Sequence, residues 1–142
     1  MIKERTTALV AFFETLSPES VKGMARFYAN NAYFKDPFNE VRELAAIQRV
    51  FLHMYKTTLA PHFTVYEVFY ADEGVMLKWD FDFRIKSWRP SVPRRIHGVS
   101  HIRFGPDGLV VYHRDYWDAA EELYEQLPVI GSVMRLFKKL AG

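Results

Sequence analysis

Apolar side chains recur every three or four positions in the first part of the chain and every second position from His62 onward, so helical periodicity gives way to strand periodicity once. Leu9, Phe12, Phe13 and Leu16 share one helical face. Ser17-Pro18-Glu19 then supplies an N-cap, a proline at the first helical position and an acid in the first turn of a second helix. That helix carries Val21, Met24, Ala25, Phe27 and Tyr28 on one side and is expected to stop at Asn30-Asn31, where a short extended run leads to Asp36-Pro37. Leu44, Ile47, Val50, Phe51, Met54 and Tyr55 mark a third helix, with Pro61 just beyond its end.

In the second part Phe63, Val65, Glu67 and Phe69 alternate with Thr64, Tyr66, Val68 and Tyr70, and Asp72-Glu73-Gly74 makes a turn. Val75, Leu77, Trp79, Phe81, Phe83 and Ile85 form the next strand against the polar row Lys78, Asp80 and Asp82. The polar row reads first as a solvated face. Trp79, Phe81 and Phe83 read first as core, with cavity lining as the alternative. After a loop with Pro90 and Pro93 come a strand from about Arg95 to Phe104, a Gly105-Pro106-Asp107-Gly108 hairpin and a last strand to about Trp117. Three helices, one inserted short strand and a four-strand antiparallel meander predict an α+β fold in a single domain over 1–142. Residues 118–142 form a helical extension: a short helix ends at Leu127-Pro128, and a second sets Val129, Ile130, Val133, Met134, Phe137 and Leu140 opposite Arg135, Lys138 and Lys139. Such a basic amphipathic helix either packs on the rest of the fold or docks at an anionic membrane surface.

Composition narrows the function classes. With 49% hydrophobic residues in 142, a core is assured, and 12 Phe, 8 Tyr and 3 Trp exceed what it needs, so some aromatic rings are expected to line a cavity. A net charge of +2 with interspersed signs does not indicate a nucleic-acid surface. The absence of cysteine removes disulfides, thiol nucleophiles and Cys-ligated zinc. The 5 histidines are scattered without ligand spacing, and neither a phosphate-cradling glycine loop nor a Gly-x-Ser-x-Gly elbow occurs, so no metal or other cofactor is expected. Glu14 and Pro18 interrupt the apolar stretch a signal peptide needs, and no apolar run reaches the length of a membrane span, which makes a soluble cytoplasmic protein the expectation.

The candidate chemistry starts at Asp36, a carboxylate set among Tyr33, Phe34 and Phe38 where an extended run meets a proline. Partial desolvation there would raise its pKa and suit it to carrying a proton. The alternative is a turn residue bonding its own backbone, a common use of Asp-Pro.

Phe27-Tyr28-Ala29-Asn30-Asn31-Ala32 followed by Lys35-Asp36-Pro37, and His101-Ile102-Arg103-Phe104 followed by Asp107-Gly108 and Asp115-Tyr116-Trp117, resemble the nuclear transport factor 2-like superfamily. Within it they resemble the SnoaL-like and ketosteroid-isomerase-like proteins, over nearly the whole chain to Trp117. The resemblance implies a cystatin-like cone: a strongly curved antiparallel sheet wrapped around three N-terminal helices, with an apolar pocket for a small, largely apolar organic molecule. It also implies a homodimer through the outer sheet face, and a fold that hosts isomerases, cyclases and hydrolases as well as binding and interaction modules. In the isomerase comparison Asp36 matches the proton-abstracting acid. Phe12 stands where that family has a tyrosine, and Ser100 where it has a neutral carboxylic acid. Losing oxyanion donors costs on the order of 10²–10³ in rate each, so steroid isomerisation by that route is not expected.

With Trp117 facing the cavity, as the family match implies, strand alternation turns Asp115 and His113 the same way and Arg114 and Tyr116 the other. Asp36, Asp115 and His113 are therefore the candidate catalytic residues, and Phe12, Tyr33, Phe34, Tyr55, Ser100, Ile102 and Trp117 the candidate pocket. Two carboxyls in one apolar cone would separate into an acid and a base. The alternative for Asp115 is an ion pair with Arg114, Arg103 or another base, and for His113 a hydrogen bond within the sheet. His97 and His101 alternate with Ser100 and point away from the cavity. A non-catalytic ligand-binding or protein-interaction module is the competing function.

Overall fold

The first apolar stripe folds as helix α1, Ile2–Glu14, with Leu9, Phe12 and Phe13 buried. Ser17 and Ser20 then cap helix α2, Pro18–Lys22, reciprocally: each hydroxyl accepts the other's backbone N–H. A computed structural model describes residues 1–123, 136 and 139–141 of the chain. In it α2 ends at Gly23, well before the expected Asn30-Asn31. Met24–Arg26 form a single 3-10 turn, and strand β1 already begins at Tyr28 and runs to Lys35. The spacing of Met24, Phe27 and Tyr28 does report burial, but burial on a turn and a strand start. Gly23 is a poor helix residue, and the ladder with the last strand takes up the backbone from Phe27 onward, whose carbonyl accepts from Val110 N–H at 2.7 Å.

A turn after β1 leads into β2, Glu40–Arg42, whose three residues are too few to show a period; it pairs antiparallel with β1, setting Tyr33 opposite Arg42. Helix α3, Leu44–Thr57, buries Leu44, Ile47 and Phe51 as its stripe predicts. Strand β3, Thr58–Tyr70, follows without a loop and includes Pro61. The proline is tolerated because the register shifts between Leu59 and His62, with Ala60 at φ 51°, so this stretch bulges out of the ladder. Strands β4, Gly74–Ile85, β5, Arg94–Phe104, and β6, Val110–Tyr116, complete a meander in which glycine turns join β3 to β4 and β5 to β6, and the loop with Pro90 and Pro93 joins β4 to β5.

The six strands form one curved, unclosed sheet in the order β2-β1-β6-β5-β4-β3. Every neighbouring pair is antiparallel except β1 with β6. Its inner face, carrying Leu77, Trp79, Ile96, Ile102 and Val110, closes on α1 and α3. The outer face is polar as expected: Lys78 lies 3.5 Å from Glu67, Arg95 binds Asp82 at 2.7 Å, and His97 binds Asp80 at 2.7 Å. Asp118 caps a four-residue helix α4, Ala119–Glu122. The second C-terminal helix expected from Val129 to Leu140 lies almost wholly outside the described residues. Among the described residues no helix is long and apolar enough to cross a membrane.

Candidate functional site

Between α3 and the inner faces of β3, β4 and β5 lies a cavity of about 340 Å³. Trp79, Phe81 and Phe83 form one wall and Phe51 and Met54 another, with Trp117 and Phe38 meeting edge to face at 5.5 Å. Trp79, Phe81 and Phe83 are thus both: they are buried members of the core, as expected, and they also line the cavity. The alternation along β4 is as expected, and it turns all three rings to the inner face. Polar lining is sparse, and the two carboxyls in it are Asp36 and Asp115. No lysine or arginine is among the described lining residues.

Asp36 sits just past the end of β1 and combines both roles considered for it. Its Oδ1 accepts the backbone N–H groups of Phe38 at 2.8 Å and Asn39 at 2.7 Å, and the Asn39 side-chain amide reaches both carboxyl oxygens. Its own N–H donates to Asn39 O at 2.9 Å, closing the turn. At the same time burial raises its pKa above the ordinary carboxyl value. That effect outweighs the lowering by the turn's hydrogen bonds, and the charge of Asp115 adds to the rise.

Asp115 and His113 point inward from β6, as alternation from Trp117 predicted, but their partners are set by register. Ser100 on β5 lies directly opposite Asp115, and Ile102 opposite His113. Ser100 Oγ donates to Asp115 Oδ1 at 2.5 Å, and the same oxygen is 2.7 Å from His113 Nε2. His113 Nδ1 in turn meets the Tyr28 hydroxyl at 2.6 Å, and Trp79 Nε1–H donates to Ser100 Oγ at 2.8 Å. Tyr28 and His113 are 1% and 2% exposed, whereas the Asp115 side chain keeps 16%. The base that Asp115 meets is therefore His113 and neither Arg114 nor Arg103, whose guanidinium groups lie over the outer-face rings of Tyr116 and Tyr112. A small void of about 20 Å³ adjoins Ser100, His113 and Asp115, space of the order of a single water molecule.

The other expected pocket residues divide. Trp117 lines the cavity and Ser100 the small void. Phe12, Phe34 and Ile102 belong to the core: Phe12 packs on Phe27 at 4.7 Å and Phe34 on His113 at 4.8 Å. Tyr33 faces the other way, its ring stacked on Tyr112 at 5.3 Å and its hydroxyl donating to Glu40. It precedes the inward-facing Phe34 by one residue and so must lie on the outer face. Tyr55 is outside the cavity wall, and its buried hydroxyl has no hydrogen-bond partner among the described residues. His97 and His101 do lie on the outer face, His101 against Tyr112.

Sequence reasoning missed Tyr28, Asn39 and His53 as parts of the site and had Phe38 only as a neighbour of Asp36. Asn39 was recoverable from the Asp-Pro-x-Asn turn chemistry. Nothing local points from Tyr28 to His113, 85 residues away.

Residues 9–113 match the family described as SnoaL-like domain. A hypothetical protein with a ketosteroid isomerase-like fold from Catenulispora acidiphila, solved in complex with trimethylamine, superposes with a TM-score of 0.71 at 15% identity, over 87% of this chain and 92% of that one. An NTF2-like protein of unknown function from Burkholderia pseudomallei gives 0.71 at 14%, over 82% and 92%. An LEH-like epoxide hydrolase from M. tuberculosis gives 0.70 at 14%, over 96% and 98%. At these identities the likeness is one of fold. No curated protein matches the sequence significantly.

Proposed function

The chain belongs to the SnoaL-like domain family, and from that premise we propose that its cavity binds a small, largely apolar organic molecule and moves protons on it with Asp36 and Asp115. The observation that carries this reading is the placement of two carboxyls in an otherwise largely apolar cavity of about 340 Å³, one of them backed by a buried histidine and tyrosine. An apolar wall holds the body of a ligand by area, and the few polar groups fix its orientation. A carboxylate takes a proton from the bound molecule and a carboxylic acid returns one, so an isomerisation or ring closure leaves the ligand's proton count unchanged. Hydrolysis would use the same pair with a water molecule as the third participant. The fold neighbour from M. tuberculosis, named an epoxide hydrolase, supports chemistry on small organic molecules in this architecture.

Native mass spectrometry of the protein purified from its own host, with extraction and identification of any retained molecule, tests the proposal alongside displacement of the neutral dye Nile red. The expected result is an apolar small molecule in wild type, and a chemically different one, the unreacted form, in Asp115→Asn and Asp36→Asn. The same molecule in all three proteins would mean binding without reaction. Exclusion of both dye and ligand would remove the cavity as a binding site.

A further inference from the structure

One hydrogen bond in the buried chain behind Asp115 has a fixed direction. The indole of Trp79 has an N–H donor and no acceptor, so at 2.8 Å from Ser100 Oγ it donates. The hydrogen of Ser100 is then free to go to Asp115 Oδ1. At the far end, Tyr28 is buried, and desolvation, reinforced by the charge of Asp115, holds its phenol well above the usual range. It is therefore a hydroxyl and can donate to His113 Nδ1. His113 Nε2 then carries the ring proton and gives it to Asp115 Oδ1. Both donors converge on one oxygen, and Asp115 Oδ2 has no hydrogen-bond partner among the described residues. The other charged groups near the two acids are Lys35, Arg114 and Asp118, which share a shallow cleft with them, and His53 on the α3 side of the cavity, titratable but not fixed in charge.

Resting on the reading that the two carboxyls do acid/base chemistry, we infer that Trp79, Ser100, His113 and Tyr28 form one polarised hydrogen-bond chain that keeps Asp115 as the ionised base, its Oδ2 turned to the ligand, and leaves Asp36 as the proton donor. Tyr28 and Trp79 are positioning residues: they set the direction of the chain from its two ends without needing to touch the reacting atoms. Asp36 also receives hydrogen bonds, from the backbone amides of its own turn and from the Asn39 side chain, but burial outweighs them and favours its protonated form.

Nitrogen-detected NMR of the His113 ring, together with carboxyl-carbon NMR of Asp36 and Asp115, reads this directly in the ligand-free full chain between about pH 5 and 9. Nε2 is expected to carry a proton throughout, and Asp36 to take up a proton before Asp115 as the pH falls. Tyr28→Phe is expected to lose the single ring state and mix in the form protonated at Nδ1. Ser100→Ala, which leaves the tyrosine in place, is expected to make Asp115 take up its proton at higher pH than in wild type. A His113 ring with bare Nε2 at about pH 8 would overturn the proposal, because Asp115 would then have to be the donor. So would proton uptake at Asp115 before Asp36, or an unchanged ring in a folded Tyr28→Phe. These readouts need no substrate, so an empty cavity would defeat the proposed function and leave them standing, whereas a reversed chain would defeat only the division of roles.

Discussion

Asp36 shows how one carboxyl can be structural and titratable at once. Its Oδ1 accepts the backbone N–H groups of Phe38 and Asn39, so Asp36→Ala, which removes both bonds, is expected to cost about 1–3 kcal/mol in urea unfolding. Asp36→Asn keeps an oxygen there and separates the second property. Because burial raises the native pKa, the folded state holds this proton more tightly than the unfolded chain, where the carboxyl titrates near about 3.9. The stabilisation is complete below that value and is lost as the pH rises through the native one. Asparagine has no such dependence, so the melting temperature of Asp36→Asn relative to wild type should increase between about pH 4 and 7. A pH-independent difference would show that burial does not perturb this carboxyl.

At the scale of elements, β4 and β5 build the site through one missing side chain. Trp79 pairs across the ladder with Gly98, and a Cβ at Gly98 would lie 2.3 Å from the end of the indole. Gly98→Ala must therefore move the ring that lines the cavity and donates to Ser100, at a cost of about 1–3 kcal/mol. A lowered melting temperature together with weaker Nile red binding is the expected outcome; loss of stability without loss of binding would mean the ring had found an equivalent position. Helices α1 and α3 were legible because each has one apolar stripe sustained over several turns. The stretch from Val21 to Tyr28 was misread because a short apolar run has no period of its own, and a 3-10 turn leading into a strand buries similar positions. The three residues of β2 exist only because β1 is there to pair with.

The molecule as a whole presents a cavity whose charge is on one side of the ledger. Its described lining has two carboxyls and no lysine or arginine, so a ligand's polar end should be neutral or a hydrogen-bond donor. At about pH 8 the neutral alcohol decanol should raise the melting temperature more than decanoate at equal concentration, because only the latter brings a like charge to the acids. Equal shifts would place the alkyl chain's polar end away from Asp36 and Asp115.

The sequence by itself determined the α+β class, the change of period at His62, the surplus of aromatic rings, the turn at Asp36 and the shared strand face of His113, Asp115 and Trp117. All of these follow from local rules: the periods of helix and strand, the chemistry of Asp-Pro, and alternation along one strand. Tertiary structure decided the rest, because it depends on which strand edges meet and in what register. The β5–β6 register put Ser100 opposite Asp115, and the parallel contact of β1 with β6 put Phe34 opposite His113. That packing brings Tyr28 onto the same ring. A one-residue slip in either pairing would leave every local signal unchanged and dissolve the site.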